Sequence, residues 1–210
     1  MIGIIDYRMG NLRSVQKALE RVDAPARVLA DPAEARAMDR LILPGVGAFT
    51  DGMRYLDERG WPAAIADFLA TGRPMLGICL GMQLVFEDSE EDAPNRGLGL
   101  LRGHVVRFHE DQGPGRPRLK VPHMGWNTLN WPGGDGADPL LAGLTPGEAA
   151  VYFVHGYYCV PEDPAVTLAT CDYGAPFAAV VRRSNLWATQ FHPEKSQRVG
   201  LQLLANFAGI

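Results

Sequence analysis

The segment Gly77-Ile78-Cys79-Leu80-Gly81 sets one thiol between two glycines. It has the form G-x-C-x-G, the thiol counterpart of a G-x-S-x-G nucleophile elbow. The apolar run Pro74-Met75-Leu76 leads into it, and a helix-like stretch from Met82 to Glu87 follows. A strand that turns sharply into a helix exposes the middle side chain in a strained conformation. Flanking glycines remove the Cβ atoms that would clash there. At a helix N-terminus the free N–H groups and the dipole favour the thiolate, the reactive form of cysteine. By itself the motif also fits a small cysteine packed in a core.

A reactive thiol needs a base to take its proton and return it to a leaving amine. The base in turn needs a carboxylate that fixes its tautomer and stabilises the imidazolium. His192-Pro193-Glu194-Lys195 follows directly on the strand-like run Leu186 to Phe191. His192 and Glu194 are two residues apart, so in an extended segment they point to the same side. Pro193 between them is expected to hold that extended form. A His-Pro-Glu tripeptide alone reads as a surface turn. Placed after a buried strand, in a chain with an elbow thiol, it reads as base and orienting acid for Cys79.

The elements that must position these groups alternate in the first half of the chain. Ile2 to Ile5, Ala26 to Ala30, Leu41 to Leu43 and Met75 to Ile78 read as short strands, the first of them buried and the third stopped by Pro44. Asn11 to Val22 is a helix with Leu12, Val15, Leu19 and Val22 on one face. Phe49 to Leu69 is helical with a break near Gly60-Trp61-Pro62, where Pro62 opens a second helix. Strands alternating with helices predict an α/β fold with a mostly parallel open sheet flanked by helices. Ligands of such sheets sit beyond the carboxyl ends of the strands, and both Pro44-Gly45-Val46-Gly47 and Cys79 fall there.

The second half adds strand-like segments at His104 to Phe108, Trp126 to Asn130, Val151 to Val154, Val166 to Thr170, Ala178 to Val181 and Leu186 to Phe191. Asp111 to Pro117 and Pro132 to Pro139 read as exposed loops. Gln197 to Phe207 reads as an amphipathic helix with Val199, Leu203 and Phe207 inward. No repeat or linker divides residues 1–210, which suit one domain.

Composition narrows the classes. The net charge is −4 with no basic stripe, which argues against nucleic acid as a partner. No apolar run is long enough to cross a membrane and no charged-then-apolar leader is visible. Three cysteines without framework spacing suggest a reducing, cytoplasmic setting. Cys159 and Cys171 lie in apolar strand-like segments and read as packing residues. No Cys/His pair has zinc-ligand spacing, and no glycine-rich phosphate loop is present. No metal or cofactor is expected. His104 and His109 read as surface or strand histidines.

Three blocks, in order, resemble the class I, triad-type glutamine amidotransferases over nearly the whole chain. Leu43-Pro44-Gly45-Val46-Gly47-Ala48-Phe49 is similar to the family's oxyanion segment, Gly77 to Gln83 to its elbow, and Gln190 to Lys195 to its base and acid. Asp6-Tyr7-Arg8-Met9-Gly10-Asn11-Leu12, Pro122 to Asn127 and Tyr152 to Tyr157 are similar to the branch of glutaminase subunits that serve imidazole glycerol phosphate synthesis. Two departures stand out. Arg8 sits where a glycine would be less surprising, and Gly156 replaces a residue that often carries a hydroxyl.

The resemblance implies a flavodoxin-like fold and hydrolysis of the glutamine side-chain amide through a Cys79 thioester, with His192 as acid and base and Glu194 as its orienter. Two fixed donors must hold the tetrahedral oxyanion. One would be the N–H of Leu80, and the other the N–H of Val46 or Gly47, where Gly45 and Gly47 let the peptide adopt or flip into a strained orientation. Gln83, Gly156 and Tyr157 would border the substrate, although Gln83 also fits a solvent-facing helix position. Released ammonia is mostly ammonium in bulk water, so a closed path to a partner is implied, here a (β/α)8-barrel cyclase subunit. Asn11, Tyr152 and Lys195 would lie at that interface, and His123 and His155 would shape the site or interface. If Val46 must reorient, the isolated chain should be a poor glutaminase. Rivals are another amidotransferase subunit, a cysteine peptidase and a non-enzymatic α/β stress protein.

Overall fold

The computed structural model describes residues 1–91, 95–113, 115, 118–132 and 138–210. The elements run β1 (Ile2–Ile5), α1 (Leu12–Glu20), β2 (Ala26–Leu29), β3 (Arg40–Gly45), α2 (Phe49–Glu58), α3 (Trp61–Ala70), β4 (Met75–Cys79) and α4 (Leu80–Leu84). There follow β5 (Asp88–Ser89), β6 (Asn95–Arg96), β7 (Gly103–Arg107), β8 (His123–Thr128), β9 (Ala150–His155), β10 (Tyr157–Pro161), β11 (Thr167–Asp172), β12 (Pro176–Arg183), β13 (Leu186–Thr189) and α5 (Gln197–Gly209). The central sheet has the order β11-β12-β13-β4-β3-β1-β2. From β13 to β2 its neighbours are parallel, and β12 and β11 extend it antiparallel. A smaller sheet, β10-β7-β5-β6, and the hairpin β8-β9 complete the strands. The expected α/β fold, mostly parallel with antiparallel strands in the second half, is the one observed.

The period-two alternation of the central strands loads two cores, one on each face. Ile42 and Ile78 face α1 and α5, which contribute Val15, Leu19, Leu203 and Phe207. Leu41 and Leu43 face the other way, onto Phe49 and Leu56 of α2 and Trp61, Ile65 and Phe68 of α3. Burying each such side chain is worth roughly 1.5–3 kcal/mol, so both helix layers clamp the sheet that carries the elbow. Asn11 caps α1 by accepting from the Ser14 N–H at 3.3 Å. Gly60, at φ 73, breaks α2 from α3 as expected, and Pro62 lies in the first turn of α3.

The structure corrects several expectations. β3 does not stop at Pro44 but runs to Gly45, with Pro44 opposite Ile78 of β4. Its pairing with β1 ends at Ile42. Beyond that point no strand residue pairs with it on the β1 side, and a missing N–H is tolerated there. The helix after the elbow is five residues, Leu80–Leu84, rather than a stretch reaching Glu87. β10 reads in the sequence only as strand-like surroundings of Cys159, yet it pairs fully with β7. The predicted loops at 111–117 and 132–139 lie partly outside the described residues.

Candidate active site

Strand register gathers the chemistry at one rim. Cys79 ends β4 opposite Gly45, the end of β3. On its other side Ile78 pairs with Thr189, the last residue of β13. The chain leaving β13 therefore delivers Gln190 and His192 beside the thiol. Three segments remote in sequence converge because their strands are neighbours and parallel.

The elbow is strained as the motif requires. Cys79 has φ 54 and ψ −108, a region a residue with a Cβ rarely enters. Gly81 is obligatory, because a Cβ there would collide with the Leu43 carbonyl oxygen. A Cβ on Gly77 would stand 2.8 Å from the Gly81 carbonyl oxygen. The glycines thus let the turn fold against β3 and over its own strand. Cys79 is 6% exposed, and the Gln190 amide points at its sulfur from 3.9 Å. All three cysteines are free.

His192 is 1% exposed. Its Nδ1 lies 2.8 Å from Glu194 Oε1, whose side chain is equally enclosed. The expectation that Pro193 keeps this segment extended is corrected: Pro193–Lys195 form one 3₁₀ turn with His192 as its extended cap. Proline's fixed φ suits the first position of a helical turn, and the curl brings Glu194 back under the ring. The His192 backbone N–H donates to the Tyr152 carbonyl at 3.0 Å, and the Ser196 hydroxyl donates to the His192 carbonyl at 2.6 Å. Burial disfavours charge on this ring, but its interactions with Cys79 and Glu194 outweigh burial and raise its pKa to about 9. Nε2 makes no hydrogen bond of good geometry among the described residues. Contacts between nucleophile and base are often loose before substrate binds.

A cavity of about 320 Å³ opens over Cys79. Its walls include Val46, Gly47, Leu80, Gln83, Gly156 and Tyr157, all singled out in the sequence. Gly47 has φ 102, and Val46 is 40% exposed. Leu80 opens α4, where N–H groups have no partner within the helix. Gln83 does not face solvent. It is 6% exposed, and its amide nitrogen donates to the Tyr157 carbonyl at 3.0 Å and to Gln190 Oε1 at 3.3 Å. With the nitrogen held back, the Gln83 oxygen is left to accept from a ligand. Gly156 has space where a side chain would be, its nearest neighbour being Val121 at 3.7 Å.

His155 also lines the cavity, and its Nδ1 lies 2.8 Å from the Tyr157 carbonyl. A carbonyl only accepts, so Nδ1 carries the proton and Nε2 accepts from His123 Nδ1 at 3.2 Å. His123 is stacked between Tyr173 and Phe153. Burial pushes His155 down to about 3 and His123 down to about 4. Both rings are neutral framework, in keeping with a role in shaping the site.

Asn11 and Lys195 are exposed and Tyr152 is half-buried. Tyr152 meets the 49%-exposed Trp126 edge to face, with Met124 exposed on the same hairpin. Arg8 has φ 71, so the position where a glycine was less surprising is one where glycine would be unstrained. The sequence reading missed Glu91, whose carboxylate lines the cavity and accepts from the Phe49 N–H at 2.8 Å. Glu91 stands among several acidic residues after the elbow, and nothing in the sequence singles it out. A larger hollow of about 440 Å³ lies between the 32–37 turn and α3, and it contains neither cysteine nor histidine.

Fold and site together are those of α/β proteins that attack a carbonyl carbon with an elbow thiol. The chain belongs to the glutamine amidotransferase class-I family, whose model matches residues 4–209. It is 54% identical over 207 residues to the imidazole glycerol phosphate synthase subunit HisH of Syntrophotalea carbinolica, covering 99% of this chain and 98% of that one. It is 52% identical over 210 residues to the protein of the same name from Geobacillus kaustophilus, covering 100% and 97%. The solved structure of PurLQS from Thermotoga maritima shares the fold, with a TM-score of 0.75 at 18% identity over 99% of this chain and 97% of that one.

Proposed function

We propose that the chain is the glutaminase subunit of an imidazole glycerol phosphate synthase in histidine biosynthesis. The observation that carries the chemistry is the buried His192–Glu194 pair beside the strained Cys79 on one cavity. Cys79 attacks the side-chain carbonyl carbon of glutamine, and His192 delivers a proton to the departing nitrogen. Ammonia leaves and a glutamyl thioester stays on Cys79. Water deprotonated by His192 then releases glutamate. Glu194 holds the imidazole tautomer and stabilises its charged form. The oxyanion is held by the Leu80 N–H and by that of Val46 or Gly47. Glu91 meets the substrate ammonium, and the Gln83 oxygen accepts from the substrate. The glycine-flanked Val46 reorients when the partner is engaged, so the isolated chain turns over slowly.

Ammonia set free in water would be protonated and lost as a nucleophile, so the partner is a cyclase, of (β/α)8-barrel fold, docked over the rim. The exposed apolar residues Val46, Met124 and Trp126 support this face as the docking surface. Asn11, Tyr152 and Lys195 lie at that interface, and Lys195 links it to the base because its N–H donates to the His192 carbonyl at 3.0 Å. The thiol chemistry suits the cytoplasm, and no helix among the described residues is long and apolar enough to cross a membrane.

The test is glutamate release from free glutamine by wild type and Cys79→Ala, each alone and with the cyclase bound to its nucleotide substrate. Activity that rises with the loaded partner and disappears in Cys79→Ala is the expected result. Peptide cleavage without glutamine turnover would establish a peptidase instead, and equal turnover with and without partner would remove Val46 reorientation.

A further inference from the structure

The loop between β1 and α1 packs against the oxyanion segment. A Cβ on Gly10 would stand 3.4 Å from the Gly45 nitrogen, and one on Gly47 would stand 2.8 Å from Met9 Cε. Tyr7 of this loop is fully buried, and its hydroxyl has no hydrogen-bond partner among the described residues. That hydroxyl occupies the space where a Gly45 Cβ would be, the same space that Leu80 Cβ and the Gly81 nitrogen border at 2.8 and 3.1 Å. It is therefore wedged between the oxyanion segment and the first turn of α4. Burial, followed by the electrostatic influence of nearby Cys79, raises its pKa far above the ordinary value, so it is a neutral O–H donor.

A buried hydroxyl without a partner costs stability, and a phenylalanine would fill the same core without that cost. The donor has a use if the Gly45–Val46 peptide turns so that the Val46 N–H faces Cys79. The carbonyl of the same peptide, on the buried Gly45, then loses its present orientation and needs a donor on this side. We propose that Tyr7 is a positioning residue whose hydroxyl donates to the Gly45 carbonyl in that turned conformation and so holds the oxyanion hole open for reaction. The inference rests on the glutaminase reading and on Val46, rather than Gly47, as donor.

The experiment compares wild type, Tyr7→Phe, Val46→Pro and the double variant in complex with the cyclase and its nucleotide substrate. Tyr7→Phe should lower kcat for glutamate release about tenfold with KM within about twofold, because the glutamine pocket is untouched. Its melting temperature should be equal or higher, since an unpaired hydroxyl is removed. The rate at which iodoacetamide alkylates Cys79 should stay within about twofold, because alkylation builds no oxyanion. The double variant should be no slower than Val46→Pro. An unchanged kcat in Tyr7→Phe, a parallel fall in melting temperature and alkylation, or additive losses in the double variant would each overturn the proposal. A wild-type complex without glutaminase activity would instead overturn the functional reading beneath it.

Discussion

Two buried histidines line the same cavity and are driven in opposite directions. His192, 1% exposed, has its pKa raised to about 9, and His155, 5% exposed, has it lowered to about 3. Burial opposes charge on both rings. The difference lies in the company each ring keeps: His192 has Cys79 and, 2.8 Å from Nδ1, the Glu194 carboxylate, whereas His155 has a backbone carbonyl at 2.8 Å. A carbonyl fixes a tautomer without favouring the cation, whereas a carboxylate does both. Of the two, His192 is the ring suited to the proposed role of base, while the Nδ1–H of His155 is held by the Tyr157 carbonyl.

The largest effect should come from replacing the reactive ring. His192→Asn should lower kcat about 10³–10⁴-fold, measured as glutamate release by the complex, with the fold preserved by circular dichroism. Glu194→Gln keeps the size of the partner but removes its charge, and should cost about 100-fold, the lower end of an acid–base contribution. Histidine NMR titration of that variant should place the His192 pKa well below that of wild type. His155→Gln should act mainly on KM, by several-fold, because it loosens a wall of the pocket and not the proton path.

The smallest and most discriminating effect is on stability against pH. The folded pKa of His192 lies above the unfolded value of roughly 6.5, so its contribution is complete below that value and is lost as pH rises through about 9. His155 is depressed in the fold, so the unfolded chain binds the extra proton between roughly 6.5 and about 3, and stability falls as pH falls through that window. Denaturation midpoints across pH should show Glu194→Gln flattening the alkaline limb and His155→Gln flattening the acid limb. Flattening of the same limb by both variants would erase the distinction.

The grouping of Cys79 with His192 and Glu194 was legible from local signatures, the glycines around Cys79 and the two-residue spacing of His192 and Glu194 directly after a strand. The strand alternation was legible too, and it supplied the rim. What could not be read depended on contacts between segments. Pro44 continues a strand because β1 has already ended beside it. Pro193 starts a turn rather than holding an extended chain because Ser196, Tyr152 and Gly200 of α5 receive that turn. Glu91 is chosen from its acidic neighbours only by the position of the Phe49 N–H. The solitude of the Tyr7 hydroxyl is a property of the packed core and leaves no trace in the pattern.

The most direct measurement is peptide mapping by mass spectrometry of the complex, acid-quenched during turnover of glutamine. A glutamyl adduct on the peptide that contains Cys79, absent in Cys79→Ala and in the complex without glutamine, is the predicted result. Continued glutamate release with no adduct, or with the adduct on Cys159 or Cys171, would contradict the account.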